Sequence, residues 1–413
     1  MTSVDMTGTN RVGLKVLAIH RYYWPDTPPY ASMLRQIVGQ WVKDGHCVDV
    51  LSSQPSYKSE LENAPQSPRE CVDGAQVIRL NLPPESGRPM VRIFNALRLG
   101  VGVLFRAVIR KRYDVLMVST SPPVLAGWFV AIAAKITGAR FIYHCMDIHP
   151  EIGRISGEFR NPHIFNLLSN MDSWSCAQAR PVVVLSKDMA ASLEARKPRK
   201  QAQTLVINNF SLPSEEQSPS ELPFSWPSEP FVLLFAGNIG RFQGLGVLLE
   251  AMTILRERDD IRLLMMGEGS ERESLEKVAI QKGVRVTFVG HHSVDVAKQA
   301  MRRAQAGFVS LVPGLYHFAY PSKTMTYLEQ GCPVIVAVEP DSHLAKEISD
   351  NAAGIITVNE AEELAHVIRE ITNDKEKLIA MRERAKSLAD REYSQQVVLK
   401  KWSTLLKRDD VYE

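Results

Sequence analysis

Short apolar runs alternate with amphipathic stretches from Lys15 to Ile207, stop, and resume at Phe231. In the first series Lys15–His20, Cys47–Ser52, Gln76–Leu80, Val115–Ser119, Arg140–His144 and Val182–Leu185 read as strands, with a helix over Ala31–Lys43 and helical stretches between most of the others. Alternation of this kind predicts parallel sheet covered by helices on both faces, because parallel strands need crossover connections. Between the two series, residues 211–230 are rich in Ser, Pro and Glu and show no periodicity, which reads as an exposed linker. In the second series Phe231–Ala236, Arg262–Met266, Arg285–Val289, Gly307–Leu311 and Pro333–Ala337 read as strands, separated by helices at Leu245–Glu257, Glu271–Gln281, Val294–Arg303 and Lys323–Glu329. The chain is therefore expected to be α/β, with two doubly wound domains over 14–210 and 231–390 and a polar, disordered leader over 1–13. A C-terminal helical segment over 391–413 could belong to either domain. Open parallel sheets bind ligands beyond the carboxyl ends of their strands, so the expected site lies where two such edges face one another.

The length of 413 residues suits two domains of about 200 residues each. A net charge of +3 gives no field that would single out nucleic acid as a partner. The five cysteines are scattered without a C-x-x-C pair, which argues against a zinc site or a disulfide frame and fits a reducing cytosol. Met1 to Gly13 has no apolar core of the kind a signal peptide needs. No stretch reaches the roughly 18 uncharged apolar residues of a membrane span. The uncharged run Pro122–Ala134 reads as a helix buried on a sheet. Residues 88–112 are different, since Arg88, Arg92, Arg98, Arg106, Arg110, Lys111 and Arg112 interleave with Phe94, Leu97, Leu99, Val101, Val103, Leu104, Phe105, Val108 and Ile109. A basic helix with a broad apolar surface fits the interface of an anionic bilayer, and it also fits a core-facing helix with snorkelling arginines.

Three glycine turns end strands of the second series. The first, Gly237-Asn238-Ile239-Gly240-Arg241-Phe242-Gln243-Gly244, joins a strand to a helix. There, backbone amides can approach an anion and Arg241 can add a cation, although such a turn also serves simply to reverse the chain. Gly267 and Gly269 form a second turn, and Gly290 precedes the adjacent His291-His292; neighbouring residues point apart, so one metal ion is not expected on both. In Tyr320-Pro321-Ser322-Lys323-Thr324-Met325-Thr326, Ser322 is a good N-cap residue and Lys323 stands in the first turn, against the helix dipole. A cation so placed suits a bound anion, the plain alternative being a solvated lysine. In the first series His144-Cys145-Met146-Asp147-Ile148-His149-Pro150-Glu151 follows a strand, and the loop Tyr22-Tyr23-Trp24-Pro25 to Tyr30 is aromatic and turn-rich. Such a loop suits stacking on sugar rings or a packed turn.

The order F-x-G-N-x-G-R-x-Q-G, G-x-G, V-x-F-x-G and P-S-K-x-x-x-Y-L-x-x-G-x-P-V-I resembles glycosyltransferase family 4 over nearly the whole chain. More narrowly it is similar to the bacterial branch building O-antigen and exopolysaccharide units, such as colanic acid and fucosaminyl transferases. The resemblance implies a GT-B fold, two Rossmann-like domains facing a central cleft, with the nucleotide sugar on the second domain and the acceptor on the first. Donor contacts would come from Gly237, Asn238, Arg241, Gly244, Gly267, His291, Pro321, Ser322, Lys323 and Thr326. Acceptor contacts would come from Tyr22, Tyr23, Trp24 and His144, with Asp147, Glu151 and Lys323 as catalytic groups. The family's two glutamates, eight residues apart, fall here on Phe318 and Thr326, so neither carboxylate is present. Thr27-Pro28-Pro29 stand where the family has glycines, and Gln243 replaces a common lysine.

The resemblance further implies transfer with retention, no covalent nucleophile, no metal or other cofactor, and a polyprenyl-diphosphate-linked acceptor. Such an acceptor would put a cytoplasmic protein on the inner face of the cell membrane through 88–112. Two rivals remain at this level: a nucleotide-sugar epimerase of the same architecture, and a non-catalytic binding subunit. A nicotinamide enzyme is disfavoured, because no G-x-G-x-x-G follows the first strand of either half.

Overall fold

The computed structural model describes residues 13–26, 28–55, 65–83, 85, 89–110, 113–196, 202–213 and 221–407. Residues 1–12 of the leader, Thr27, Arg88, Lys111, Arg112, residues 214–220 of the linker and the end of the chain after Lys407 therefore lie outside the described residues. The chain divides into two compact units, one formed by Met1–Ile207 with Leu399–Glu413 and the other by Asn208–Val398. The division falls three residues before the expected end of the first domain. Asn209, Phe210 and Ser211 are buried, and Ser211 donates to the Glu329 carboxylate of the second unit at 2.7 Å.

The first unit holds β1 (Lys15–Ile19), α1 (Pro29–Lys43), β2 (Cys47–Ser53), β3 (Arg69–Val72), β4 (Ala75–Leu80), α2 (Pro89–Leu104), β5 (Val115–Ser119), α3 (Leu125–Thr137) and β6 (Arg140–Cys145). It continues through α4 (Glu151–Ile155), α5 (Pro162–Gln178), β7 (Val182–Val184), α6 (Lys187–Glu194) and β8 (Thr204–Val206). Its eight strands run in the order β3-β4-β2-β1-β5-β6-β7-β8, all parallel except β3, which makes a hairpin with β4. The central strands are apolar almost throughout, as both-face coverage demands: Val16 to Ile19 and Val115 to Val118 are all buried. The chain leaves β1 toward β2 and later returns on its other side as β5, so the crevice beyond β1 and β5 is the topological switch point.

The run Pro122–Ala134 forms most of α3, buried through Phe129, Val130, Ala131 and Ala133. Helix α2 docks on α3 at Gly100, where a Cβ would run into the Phe129 ring. The buried side of α2 and of the π-helical stretch Phe105–Arg110 that follows it consists of Asn95, Ala96, Leu99, Val103 and Ala107. The opposite side leaves Met90, Ile93, Phe94, Leu97, Val101, Phe105, Val108 and Ile109 exposed. Arg106 departs from the expected basic surface. It turns inward, donating to Asp49 at 2.9 Å and to the Tyr113 hydroxyl at 3.0 Å, because Asp49 in mid-strand would otherwise be a buried lone charge.

The second unit holds β9 (Phe231–Ala236), α7 (Gly246–Ile254), β10 (Ile261–Met266), α8 (Arg272–Lys282), β11 (Val286–Val289), α9 (Val294–Arg303), β12 (Ala306–Ser310), α10 (Lys323–Glu329) and β13 (Val334–Ala337). Then come α11 (His343–Asp350), β14 (Gly354–Thr357), α12 (Ala361–Asn373) and α13 (Lys375–Leu388). All six strands are parallel, in the order β11-β10-β9-β12-β13-β14, with the switch point between β9 and β12. The strands' alternate residues Leu233, Phe235, Leu263, Met265 and Phe308 pack against Leu248, Leu249, Met252, Leu364 and Ile368 of α7 and α12. The last helix, α14 (Gln395–Lys407), begins in the second unit and ends in the first, where the Trp402 ring meets Trp41 edge-on at 6.0 Å. Among the described residues, no helix is long and apolar enough to cross a membrane.

Candidate functional site

In the second unit Gly237, Gly244 and Lys323 gather at the β9/β12 switch point and Gly267 meets Gly237 from the end of β10, whereas His291 follows β11 at the edge of the sheet. The glycines after β9 are there to let backbones touch. Gly237 and Gly267 both have φ of +140°, and a Cβ on Gly267 would strike the Gly237 carbonyl oxygen; one on Gly269 would strike that of Ile239. The Gly237 amide donates to Met266 O at 2.9 Å, the Ile239 amide to Glu268 O at 2.8 Å, and the Gly240 amide to the Gln243 side chain at 3.2 Å. Gln243 N donates to Gly240 O at 3.3 Å, so four of the turn's amides are already bonded within the unit. At the far end of the turn, Gly244 (φ +58°) lies against Val312 and the Asn359 amide, each 3.4 Å from where its Cβ would be. Ser310 Oγ ties the turn down through Gln243 O at 2.6 Å. Asn359, which the sequence reading passed over, thereby becomes a neighbour of the glycine turn.

Lys323 is the distinctive group. Its Nζ lies 3.6 Å from the centre of the Phe235 ring, and its Cδ lies 3.8 Å from where a Cβ of Gly237 would be. It has no acidic partner among the described residues, and burial lowers its pKa from 10.5 to about 7. A half-buried ammonium that has lost water and gained only a ring face is undercompensated, since such a contact is worth about 1–2 kcal/mol. Arg241 is 74% exposed and pairs with Glu271 at 3.3 Å, a contact weak enough to exchange for another anion. Asn238, Ser322 and His291 are exposed. Ser322 does not cap α10 through its side chain. It adopts helical dihedrals itself, and Thr324 Oγ1 binds Pro321 O at 2.8 Å instead. Its hydroxyl therefore stays available at the mouth of the site. Thr326 is half-buried, its hydroxyl 3.5 Å from Ser211 Oγ.

In the first unit the expected group comes apart. Asp147, in the loop after β6, is half-buried, and its carboxylate has no partner among the described residues; burial raises its pKa from 3.8 to about 6. Glu151 is not its companion. Arg196 grips Glu151 with bonds of 2.9 and 2.6 Å, reaches Asp172 at 2.5 Å and donates to His149 O at 2.7 Å. Asp172 in turn accepts from the Tyr143 hydroxyl at 2.8 Å. Glu151 thus belongs to a buried ion network that fastens the loop, and its assignment as a catalytic group is corrected. His144 is corrected as well: it is 1% exposed, bonded to the Tyr30 hydroxyl at 2.7 Å and covered by the Trp402 ring at 4.8 Å. Tyr23 is also buried, at 1% exposure, and is no acceptor contact in this arrangement. Tyr22 and Trp24 are half-buried beneath cations, Arg21 over the Tyr22 ring at 5.2 Å and Arg35 over Trp24 at 4.3 Å, so the aromatic loop is a packed turn. The switch point itself carries His20 at the end of β1, bonded through Nδ1 to Ser119 Oγ at the end of β5. Neither residue stands out in the sequence, because each ends an ordinary apolar strand.

Two family models match in tandem along the chain: the "glycosyl transferase 4-like domain" over residues 30–209 and "glycosyl transferases group 1" over residues 220–388. The chain belongs to the GT-B glycosyltransferases. Among relatives of this enzyme, the probable glycosyltransferase WbjE of Pseudomonas aeruginosa is 22% identical over 94% of this chain and 93% of its own length. The putative colanic acid biosynthesis glycosyl transferase WcaI of Escherichia coli K12 is 21% identical over 86% of this chain and 90% of its own. Among solved structures, Anabaena HepE in complex with UDP superposes with a TM-score of 0.66 at 17% identity, covering 95% of this glycosyltransferase and 100% of HepE, which shows a shared fold.

Proposed function

We propose that this glycosyltransferase takes a sugar from a nucleotide-sugar donor held by the second unit and adds it, with retention, to a lipid-linked glycan in bacterial surface polysaccharide synthesis. The undercompensated Lys323 ammonium carries the reading: a diphosphate beside it would replace the water that burial has removed. Support for the donor class comes from HepE, whose solved structure holds UDP, and support for the pathway from WcaI, named for colanic acid biosynthesis. Retention and the polyprenyl-diphosphate acceptor rest on the family resemblance.

The chemistry follows from where charge develops. As the bond from sugar to diphosphate breaks, negative charge grows on the departing phosphate oxygen. A cation fixed there before the reaction lowers the barrier without reorganising. Lys323 serves as that cation, Arg241 swings from Glu271 to assist, and Ser322 offers a hydroxyl donor. The acceptor hydroxyl attacks from the side of the leaving group, which takes its proton. Side-chain cations meet the phosphate charge, so the reading assigns no metal. Asp147 orients a sugar hydroxyl in the first unit. Its raised pKa suits a group that shares a proton near neutrality.

The exposed stripe of α2 and the following π-helical stretch supports docking on an anionic bilayer at the inner face of the cell membrane. Arg92, Arg98 and Arg110 lie exposed beside it, with no acidic residue from 89 to 110. The reading is tested by incubating the protein with UDP-, GDP-, dTDP- and CMP-sugars, with and without polyprenyl-linked acceptor, and following nucleotide release. Release that depends on acceptor supports transfer. Interconversion of donors with no release would make the enzyme an epimerase, and binding with neither would make it a silent binding subunit.

A further inference from the structure

One phenol stands behind Lys323. Tyr327 lies one helical turn further along α10 and is completely buried. Strand β12 pairs with β9 only through Ala306–Leu233 and Gly307–Leu234, so the last residues of β9 have no strand partner on that side. The Tyr327 hydroxyl fills the gap, accepting from the Ala236 amide at 2.7 Å and donating to Leu234 O at 3.0 Å. The oxygen thereby satisfies the Ala236 amide, which lies beyond the last β9–β12 pair and would otherwise be orphaned inside the unit, and adds a bond to the carbonyl of Leu234. The ring reaches β9 past Gly307, where a Cβ would lie 2.5 Å from Tyr327 Cδ1, so glycine at 307 is what lets the phenol through.

We infer that Tyr327 is the positioning residue of the donor site: its hydroxyl pins α10 to the end of β9, holding Lys323 over Phe235 and alongside Gly237. The geometry is direct. Ala236, which the hydroxyl binds, immediately precedes Gly237, and Phe235 immediately precedes Ala236. The same two-residue step of β9 thus carries the anchor of the helix and the ring under the ammonium. The upstream end of the segment is held independently, by the Tyr320 hydroxyl, 3.4 Å from the Glu347 carboxylate that Tyr393 also binds. Without the Tyr327 hydroxyl, the Ala236 amide is left buried and unpaired. The helix relieves it by moving out to admit water, and Lys323 moves with it.

The inference rests on the reading of Lys323 as the donor-phosphate cation, but its test does not need a donor. The full-length Tyr327→Phe variant keeps the ring and loses only the hydroxyl. Titrating Lys323 by trace acylation and peptide mass spectrometry, with no nucleotide present, follows its environment directly. Wild-type Lys323 is expected to titrate near 7. In Tyr327→Phe the midpoint is expected to rise by about one unit or more as the amine regains water, and affinity for UDP, or whichever nucleoside diphosphate binds the wild type best, to fall about tenfold or more. A folded variant with an unmoved midpoint overturns the inference. Should Tyr327→Phe not fold, Gly307→Ala pushes the ring from its other side with the hydroxyl intact. It is expected to raise the Lys323 midpoint too, and an unchanged midpoint there is equally fatal. A responsive midpoint in a protein that binds no nucleotide would leave the positioning role standing and remove the donor reading instead.

Discussion

Lys323 Nζ stands 3.6 Å from the centre of the Phe235 ring, a cation whose main neighbour is a core aromatic of the central strand. The relationship has a thermodynamic consequence that needs no substrate. With a folded pKa of about 7 against an ordinary 10.5, the unfolded chain holds a proton across that window that the folded protein has lost. Stability therefore rises with pH from about 7 toward 10.5. In urea titrations over this range, the difference in unfolding free energy between wild type and Lys323→Met is expected to change with pH, the wild type gaining relative to the variant as pH rises. Parallel curves would mean that the amine is not desolvated.

Asp147 predicts the opposite slope in acid. Its folded pKa of about 6 exceeds the ordinary 3.8, so the folded state retains a proton that the unfolded chain releases, and this contribution is lost as pH climbs through that window. Asp147→Asn removes the slope. The same variant is expected to lower the transfer rate by about 10²-fold through lost orientation of the sugar hydroxyl, measured as acceptor-dependent nucleotide release.

Glu151 and Arg196 predict a structural phenotype. Arg196→Ala strands Glu151 and Asp172 in a site where the three side chains are 15% exposed or less, and is expected to cost about 3–5 kcal/mol of stability. Glu151→Gln should keep transfer within about tenfold of wild type once stability is matched, far from the loss at Asp147.

The exposed stripe from Met90 to Ile109 predicts binding to liposomes containing anionic lipid and little binding to neutral ones. The double variant Val101→Glu, Ile109→Glu should stay in the supernatant while folding normally, since both residues point outward, at 60% and 71% exposure. Co-sedimentation equal to wild type would assign the stripe another role.

Much of this was legible in the sequence, and the misreadings share a cause. Strands such as Val115–Ser119 and helices such as Val294–Arg303 announce themselves, because period and propensity act locally. Lys323 was legible from its unfavourable place in a first turn, but Phe235 was not, since nothing distinguishes a core aromatic that underlies a cation. Glycines 237 and 267 could be located but not explained: their φ values serve loop-on-loop packing, a contact between distant segments. Glu151 and His144 look like site residues until Arg196 and Trp402 arrive from elsewhere in the chain. The inward turn of Arg106 likewise depends on Asp49, a lone acid in an apolar strand that in hindsight signals a buried partner.

The central claim, that Lys323 is the countercharge for a donor diphosphate, is tested most directly by titration calorimetry of UDP, GDP, dTDP and CDP in two buffers of different ionisation enthalpy at pH 8. One nucleotide should bind the wild type with uptake of up to one proton, because an anion beside Lys323 raises a pKa that stands at about 7 in the free protein. Lys323→Met should bind it at least about tenfold more weakly and without that proton. Equal affinity in the two proteins, or binding with no buffer dependence, would contradict the account.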